Sequence, residues 1–244
     1  MISARQSRRL NSIGTPANWA LYLPKSATVA LFLLTFSVAT QVRAQSPGTF
    51  SPTGSMKQAR VNFTATLLLN GKVLVAGGGN TQLATKTAEL YDPVTRTFAY
   101  TGNMTASRRE HAATLLPNGK VLITGGINDQ DTTLASAELY DPVSGSFGTT
   151  GSMIVPRSDH TATLLVSGKV LIAGTEPETE LYAPATGKFS STGPMPNAAV
   201  FAAANALSDG DVFIAAGEEE PNSTGEIYDL DGGIFAVSEY DRPA

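Results

Sequence analysis

The sequence predicts an all-β fold assembled from four copies of one four-stranded antiparallel sheet. Two repeated phrases carry the prediction. NGKVLVAGG (70–78), NGKVLITGG (118–126), SGKVLIAGT (167–175) and DGDVFIAAG (209–217) are versions of the first, and AELYDPVTRTF, AELYDPVSGSF, TELYAPATGKF and GEIYDLDGGIF are versions of the second. The spacing is a third observation. Gly71, Gly119, Gly168 and Gly210 lie 48, 49 and 42 residues apart, and Tyr91, Tyr140, Tyr182 and Tyr228 keep step at 49, 42 and 46. A phrase recurring at this period means one supersecondary unit packed against its own copies. The loop before each tyrosine phrase absorbs the uneven spacing.

The second copy shows why each element is a strand. His111 to Leu116 is a short apolar run, and Asn118-Gly119 is expected to supply the two positive-φ residues of a tight hairpin. Val121 to Thr124 is β-branched and apolar, which reads as a strand buried on both faces. Gly125-Gly126 ends that strand, and Ser136 to Tyr140 alternates as a third. Asp141-Pro142 opens a turn, because the aspartate can accept from the backbone ahead and proline presets φ. Ser146-Phe147 then falls on a short fourth strand. Four antiparallel strands in so few residues make one blade of a β-propeller. The expected blades span about 58–100, 106–149, 155–191 and 197–237. The first strands carry small residues (Ala112-Ala113-Thr114, Thr161-Ala162-Thr163, Ala202-Ala203-Ala204), as strands converging on a propeller axis must. Tyr and Phe recur seven apart in every copy (91/98, 140/147, 182/189, 228/235), and burying each ring stabilises by roughly 1.5–3 kcal/mol without any ligand.

GKVLVAGG followed by ELYDPVT and an aromatic resembles the kelch repeat, the unit of kelch β-propellers and of the galactose-oxidase-like central domain. The resemblance covers about residues 48–240. The glycine doublet of that family is intact at Gly77-Gly78 and Gly125-Gly126 and decays to Gly174-Thr175 and Ala216-Gly217. Its outer-strand tryptophan is here Phe98, Phe147, Phe189 and Phe235, and the single tryptophan, Trp19, lies far upstream. Kelch propellers typically close with more than four blades, so four copies imply an incomplete or open ring. Gly48-Thr49-Phe50 matches the last strand of a preceding blade. The chain is therefore expected either to be a shortened version of a longer propeller or to self-associate through exposed blade edges.

The first 44 residues differ in kind. Arg5, Arg8, Arg9 and Lys25 precede an apolar stretch from Ala27 to Thr40, and Val42-Arg43-Ala44 offers small residues for cleavage. This reads as a signal peptide over 1–44 cut after Ala44, with the repeat domain over 45–244 secreted, periplasmic or at the cell surface. The apolar stretch is shorter than the roughly 20 residues that span a bilayer, so no membrane span is expected in the mature chain. A formal charge of −4 argues against nucleic acid. The absence of cysteine excludes disulfides, thiolate metal sites and cysteine nucleophiles. It also excludes the tyrosine–cysteine crosslink of the copper-radical oxidases that the resemblance brings to mind.

Two columns of polar residues are candidates for function. Glu89, Glu138, Glu180 and Glu226 stand two before each tyrosine, while Arg60, Arg108 and Arg157 stand four after Met56, Met104 and Met153. An element present in every blade is not one active site, and half-buried charges need partners, so the two columns are expected to pair. Any arginine left over would form a polar rim for ligands. His111 and His160, the only histidines, share one repeat position and are the other ligand-binding candidates. A metal would need further converging ligands, so no metal and no cofactor are expected. Asn128-Asp129-Gln130-Asp131 and Asp229-Leu230-Asp231-Gly232 lack the closing glutamate of calcium loops. The reading is a binding or scaffold module for a protein or carbohydrate ligand at the loop face, not an enzyme. The alternative is a carbohydrate-active enzyme on a propeller platform, which would need an acid/base pair unique to one blade.

Overall fold

A computed structural model describes residues 50–80, 83–196, 202–215 and 225–237. The signal-peptide reading and its cleavage site lie outside these residues. Every regular element described is a strand. The first blade holds β1 (Thr64–Leu67), β2 (Val73–Ala76), β3 (Ala88–Asp92) and β4 (Thr97–Tyr100). The second holds β5 (Ala112–Leu115), β6 (Val121–Thr124), β7 (Ala137–Asp141) and β8 (Ser146–Thr149). The third holds β9 (Thr161–Leu164), β10 (Val170–Gly174), β11 (Glu176–Ala183) and β12 (Lys188–Ser191). The fourth holds β13 (Ala203–Ala206), β14 (Val212–Ala215), β15 (Gly225–Asp229) and β16 (Ile234–Val237). Each blade is a meander of neighbours paired antiparallel in chain order, and no sheet closes into a barrel. This is the architecture of an open β-propeller.

The hairpin between the first two strands differs from the sequence expectation. Leu116 N–H donates to Lys120 O at 2.8 Å, and Gly119 N–H donates to Leu116 O at 2.9 Å. Only Gly119, at φ 81°, is left-handed; Asn118 is not. The connection is thus a three-residue loop, a type I turn closed by a left-handed glycine, rather than a two-residue turn with both residues at positive φ. Pro117 suits the position after Leu116 because its ring presets φ there. Asn118 Oδ1 accepts from Lys120 N–H at 3.1 Å and braces the loop. The other blades repeat this turn at Gly71, Gly168 and Gly210.

The cores lie between blades. Leu74, Ala76 and Ala88 of the first blade pack against Met104, Val121, Ile123 and Tyr140 of the second. Leu122 and Ala137 meet Met153, Val170, Ile172 and Tyr182 in the same way, and Leu171 and Ala173 meet Met195, Val212, Ile214 and Tyr228. The strand period of two explains this arrangement. Val121 and Ile123 point to the face toward the previous blade, and Leu122 and Thr124 point toward the next. Because both faces are covered, the whole of β6 is buried. First strands also touch in sequence, β1 with β5, β5 with β9 and β9 with β13. Packing of that extent is not found between β13 and β1.

Candidate functional site

The Arg–Glu columns pair within each blade. Arg60 Nη2 lies 2.7 Å from Glu89 Oε1, Arg108 Nη2 2.8 Å from Glu138 Oε1, and Arg157 Nη2 3.3 Å from Glu180 Oε1. All three pairs are buried. Each arginine also donates to the carbonyl of the glycine ending the second strand: Arg60 to Gly77 at 2.8 Å, Arg108 to Gly125 at 2.7 Å and Arg157 to Gly174 at 3.2 Å. Each glutamate accepts two backbone N–H groups from the segment entering its blade, as Glu138 does from Thr105 and Ala106. Burial pushes the Glu89 carboxyl up, but the Lys57 N–H, the Arg60 guanidinium and the Gln58 N–H outweigh it and hold its pKa below the ordinary value. The arginines are therefore directed inward. The polar rim expected of Arg60, Arg108 and Arg157 is not what their side chains present, because their Nη groups are held by carboxylates and carbonyls of their own blades.

The histidines sit in the seams rather than at the surface. His111 Nε2 is 2.9 Å from Thr64 Oγ1 of the previous blade, and His160 Nε2 is 2.8 Å from Thr124 Oγ1. Each ring presses on the first glycine of the preceding doublet. A Cβ added at Gly77 would meet His111 Cε1 at 2.7 Å, and one added at Gly125 would meet His160 Cε1 at 2.8 Å. The second glycine of each doublet completes the seam: Gly78 N–H donates to Arg108 O at 2.9 Å and Gly126 N–H to Arg157 O at 2.8 Å. Burial, then the charge of Arg108 and of His160, lowers the His111 pKa to about 3. Burial and the charge of Arg157 take His160 to about 3. Both rings are neutral near pH 7, so the two histidines serve as packing between blades. Among the described residues no group of three or more His, Asp or Glu side chains converges as a metal site would require.

A different polar group gathers at the end of the sheets opposite the hairpin turns. Asn62, Glu110 and Asp159 occupy one repeat position, two after each arginine, and all are left-handed, with φ of 54°, 57° and 50°. They are stitched across blades: Glu110 N–H donates to Asn62 O at 3.1 Å, and Asp159 N–H donates to Glu110 O at 2.9 Å. Asn62 Nδ2 donates to Glu110 Oε1 at 2.9 Å. Arg109 bridges Glu110 and the exposed Asp131 of the β6–β7 loop. Ser107 Oγ donates to Asp129 Oδ1 of that loop at 2.8 Å. Burial, then the neighbouring Glu110 charge, raises the Asp159 pKa, although Arg109 opposes the shift. The sequence reading missed this group. Its signal was present: two places after an arginine that does not vary, the side chain is polar and different in each of the first three copies.

The opposite end is apolar at its tips. Leu69, Val94, Val143 and Val166 are all more than half exposed on hairpin turns. Grooves of about 320 Å³ and 420 Å³ run between the turns of adjacent blades, the first past Leu69, Lys120 and Val143 and the second past Pro117, Lys169 and Pro184. A second missed signal is Thr-Gly two residues ahead of each of four methionines: 53–54, 101–102, 150–151 and 192–193. Each threonine hydroxyl bonds the tyrosine hydroxyl of the blade it enters, at 2.6, 2.9, 2.9 and 2.8 Å.

Residues 60–105 match the Kelch motif. That stretch starts at the buried Arg60 and runs through the whole first blade to the methionine that opens the second. No curated protein matches the chain.

Proposed function

We propose that the chain is a non-catalytic binding module that takes a protein ligand on the end of the propeller carrying Asn62, Arg109, Glu110, Asp131 and Asp159. The Kelch motif suggests a propeller that binds or scaffolds, and such propellers typically bind proteins. One observation supports the choice of face. The Arg–Glu pairs repeated in the first three blades are buried within the fold, whereas Asn62, Glu110 and Asp159, which differ from blade to blade, stand together at this end. Variation over a rigid frame is where recognition develops. The mixed signs of Arg109, Asp131 and Glu110 suit a polar, charge-bearing peptide surface. The apolar stretch at 27–40 supports export to the periplasm or cell surface as the setting.

The test is a peptide and glycan array read beside Arg109→Ala and Asp131→Ala. Loss of a peptide ligand with an unchanged melting temperature supports the reading; peptide binding indifferent to both variants overturns it. The Glu110–Asp159 neighbourhood favours a second reading. Two carboxyls with unequal environments, in a pair not shared by all blades, are what a carbohydrate-active enzyme would need. Glycan turnover lost in Asp159→Asn would select it.

A further inference from the structure

We propose that two copies of this chain join head to tail, the fourth blade of each packing on the first blade of the other, to complete a ring of propeller blades. This goes beyond the ligand reading and does not depend on it.

Each of the three internal seams joins the same two half-surfaces. The receiving half comes from the earlier blade: a leucine at the end of the first strand, a leucine in the second, and an alanine or threonine two residues further on. The inserting half comes from the later blade: the methionine, two β-branched residues and the tyrosine. Among the described residues one unused copy of each half remains, the inserting half on the first blade and the receiving half on the fourth.

The inserting half on the first blade is less covered than its counterparts: Val75 is buried, but Val73 and Tyr91 are only half-buried where the equivalent valines and tyrosines of the other blades are fully buried. Met104, Met153 and Met195 are buried to 4% exposure or less, while Met56 at the equivalent position is only half-buried. Leu67 is 63% exposed, whereas Leu115 and Leu164 are half-buried in their seams. A groove of about 530 Å³ lies over this surface, lined by Met56, Ala59, Phe63, Val75 and Phe98. The receiving half on the fourth blade is less covered as well. Leu207 is 38% exposed where Leu68, Leu116 and Leu165 are at most 3%, and Phe213 is 37% exposed where Leu122 and Leu171 are at most 1%. The two ends also share a departure from the interior pattern. Phe63 stands where His111 and His160 stand, and Phe213 stands where the other blades have leucine. Both replacements are bulky aromatic side chains, and aromatic residues are enriched where separate molecules join.

The occupant of the first-blade groove follows from continuity with seams already built. The surface that covers this half, three times over, is the receiving face of a blade from this same chain. β13 and β1 lack the packing that joins the other first strands, so one chain does not supply this surface to itself in the way its internal seams do. A heterologous joint of this kind closes when the rotation returns on itself. Two four-bladed chains would give eight blades, within the range at which propellers close.

Sedimentation and light scattering of the full chain across a dilution series test the proposal. The expected result is twice the chain mass, falling to one chain on dilution. Met56→Glu and Phe213→Glu each place a charge in the joint and are expected to weaken association by roughly 30-fold or more. Circular dichroism should stay unchanged, because neither side chain is fully covered within its own chain. The two variants mixed should recover a dimer, because one intact joint remains between them. A chain that stays single at every concentration overturns the proposal. Dimers that ignore both variants, or variants that stay single when mixed, overturn it too.

Discussion

The first two seams differ from the third in an instructive way. Between blades one and two, and again between two and three, a glycine doublet receives a histidine edge and donates to an arginine carbonyl. Between three and four the doublet is Gly174-Thr175, and the histidine position holds Ala202. The apolar part of the third seam is nevertheless complete: Met195, Val212, Ile214 and Tyr228 are buried, and Thr192 bonds Tyr228. Met195 N–H still donates to Pro177 O at 2.7 Å, as Met104 and Met153 do to their previous blades. Apolar packing and the threonine–tyrosine bond therefore suffice to hold two blades together. The arginine, histidine and glycine contacts form a second layer near the axis, and that layer is free to decay.

The largest effect is expected inside the second blade, which both complete seams share. Arg108→Met keeps the carbonyl that accepts from Gly78 but leaves Glu138 buried without its cation, and is expected to cost about 3–5 kcal/mol by urea denaturation. Replacing both Arg108 and Glu138 by methionine should cost less than the single change. Acid provides the next test. His111 and His160 have folded pKa values near 3, below the ordinary value near 6.5. The unfolded chain therefore binds their protons first as pH falls. Their contribution is fully present above about pH 6.5 and is lost progressively toward pH 3. His160→Gln should flatten that slope in melting curves recorded between pH 7 and 4.

Grafting the third seam onto the second comes next. Gly126→Thr puts a side chain at φ 91°, where its Cβ would meet Arg109 O at 2.5 Å and His111 Cβ at 2.8 Å. We expect a loss of about 1–3 kcal/mol. The reverse change, Thr175→Gly, relieves a β-branched residue at φ 49° and should raise stability by about 1 kcal/mol. The smallest effect is expected at Asp131→Ala, where an exposed ion pair with Arg109 contributes about 0–1 kcal/mol to stability.

The blades were legible in the sequence because a period-two pattern bounded by Asn-Gly and Asp-Pro leaves few alternatives to a meander. The pairing of Arg108 with Glu138 was legible for a similar reason: two columns of opposite charge, each repeated, must meet. The hairpin type was not legible. Asn-Gly fits both a two-residue turn and a turn with a glycine bulge, and the choice rests on the Leu116–Lys120 bond closing the strands one residue further out. The place of the histidines in the seams was not legible, because their neighbours in space, Thr64 and Thr124, belong to the previous blade and no local pattern links them. The Asn62–Glu110–Asp159 ladder escaped for the same reason. It exists only between copies, and its members share a backbone conformation rather than a residue type.

The central claim is that blades are held by the surfaces between them, so that neighbouring blades open as a unit. Native-state hydrogen exchange at Gly126 tests it most directly, because that N–H is bonded only across the seam, to Arg157 O. The account predicts that Gly126 exchanges with the same opening free energy as Ile123 and Ile172 in the strands on either side. Fast exchange at Gly126 while those strands stay protected would contradict it.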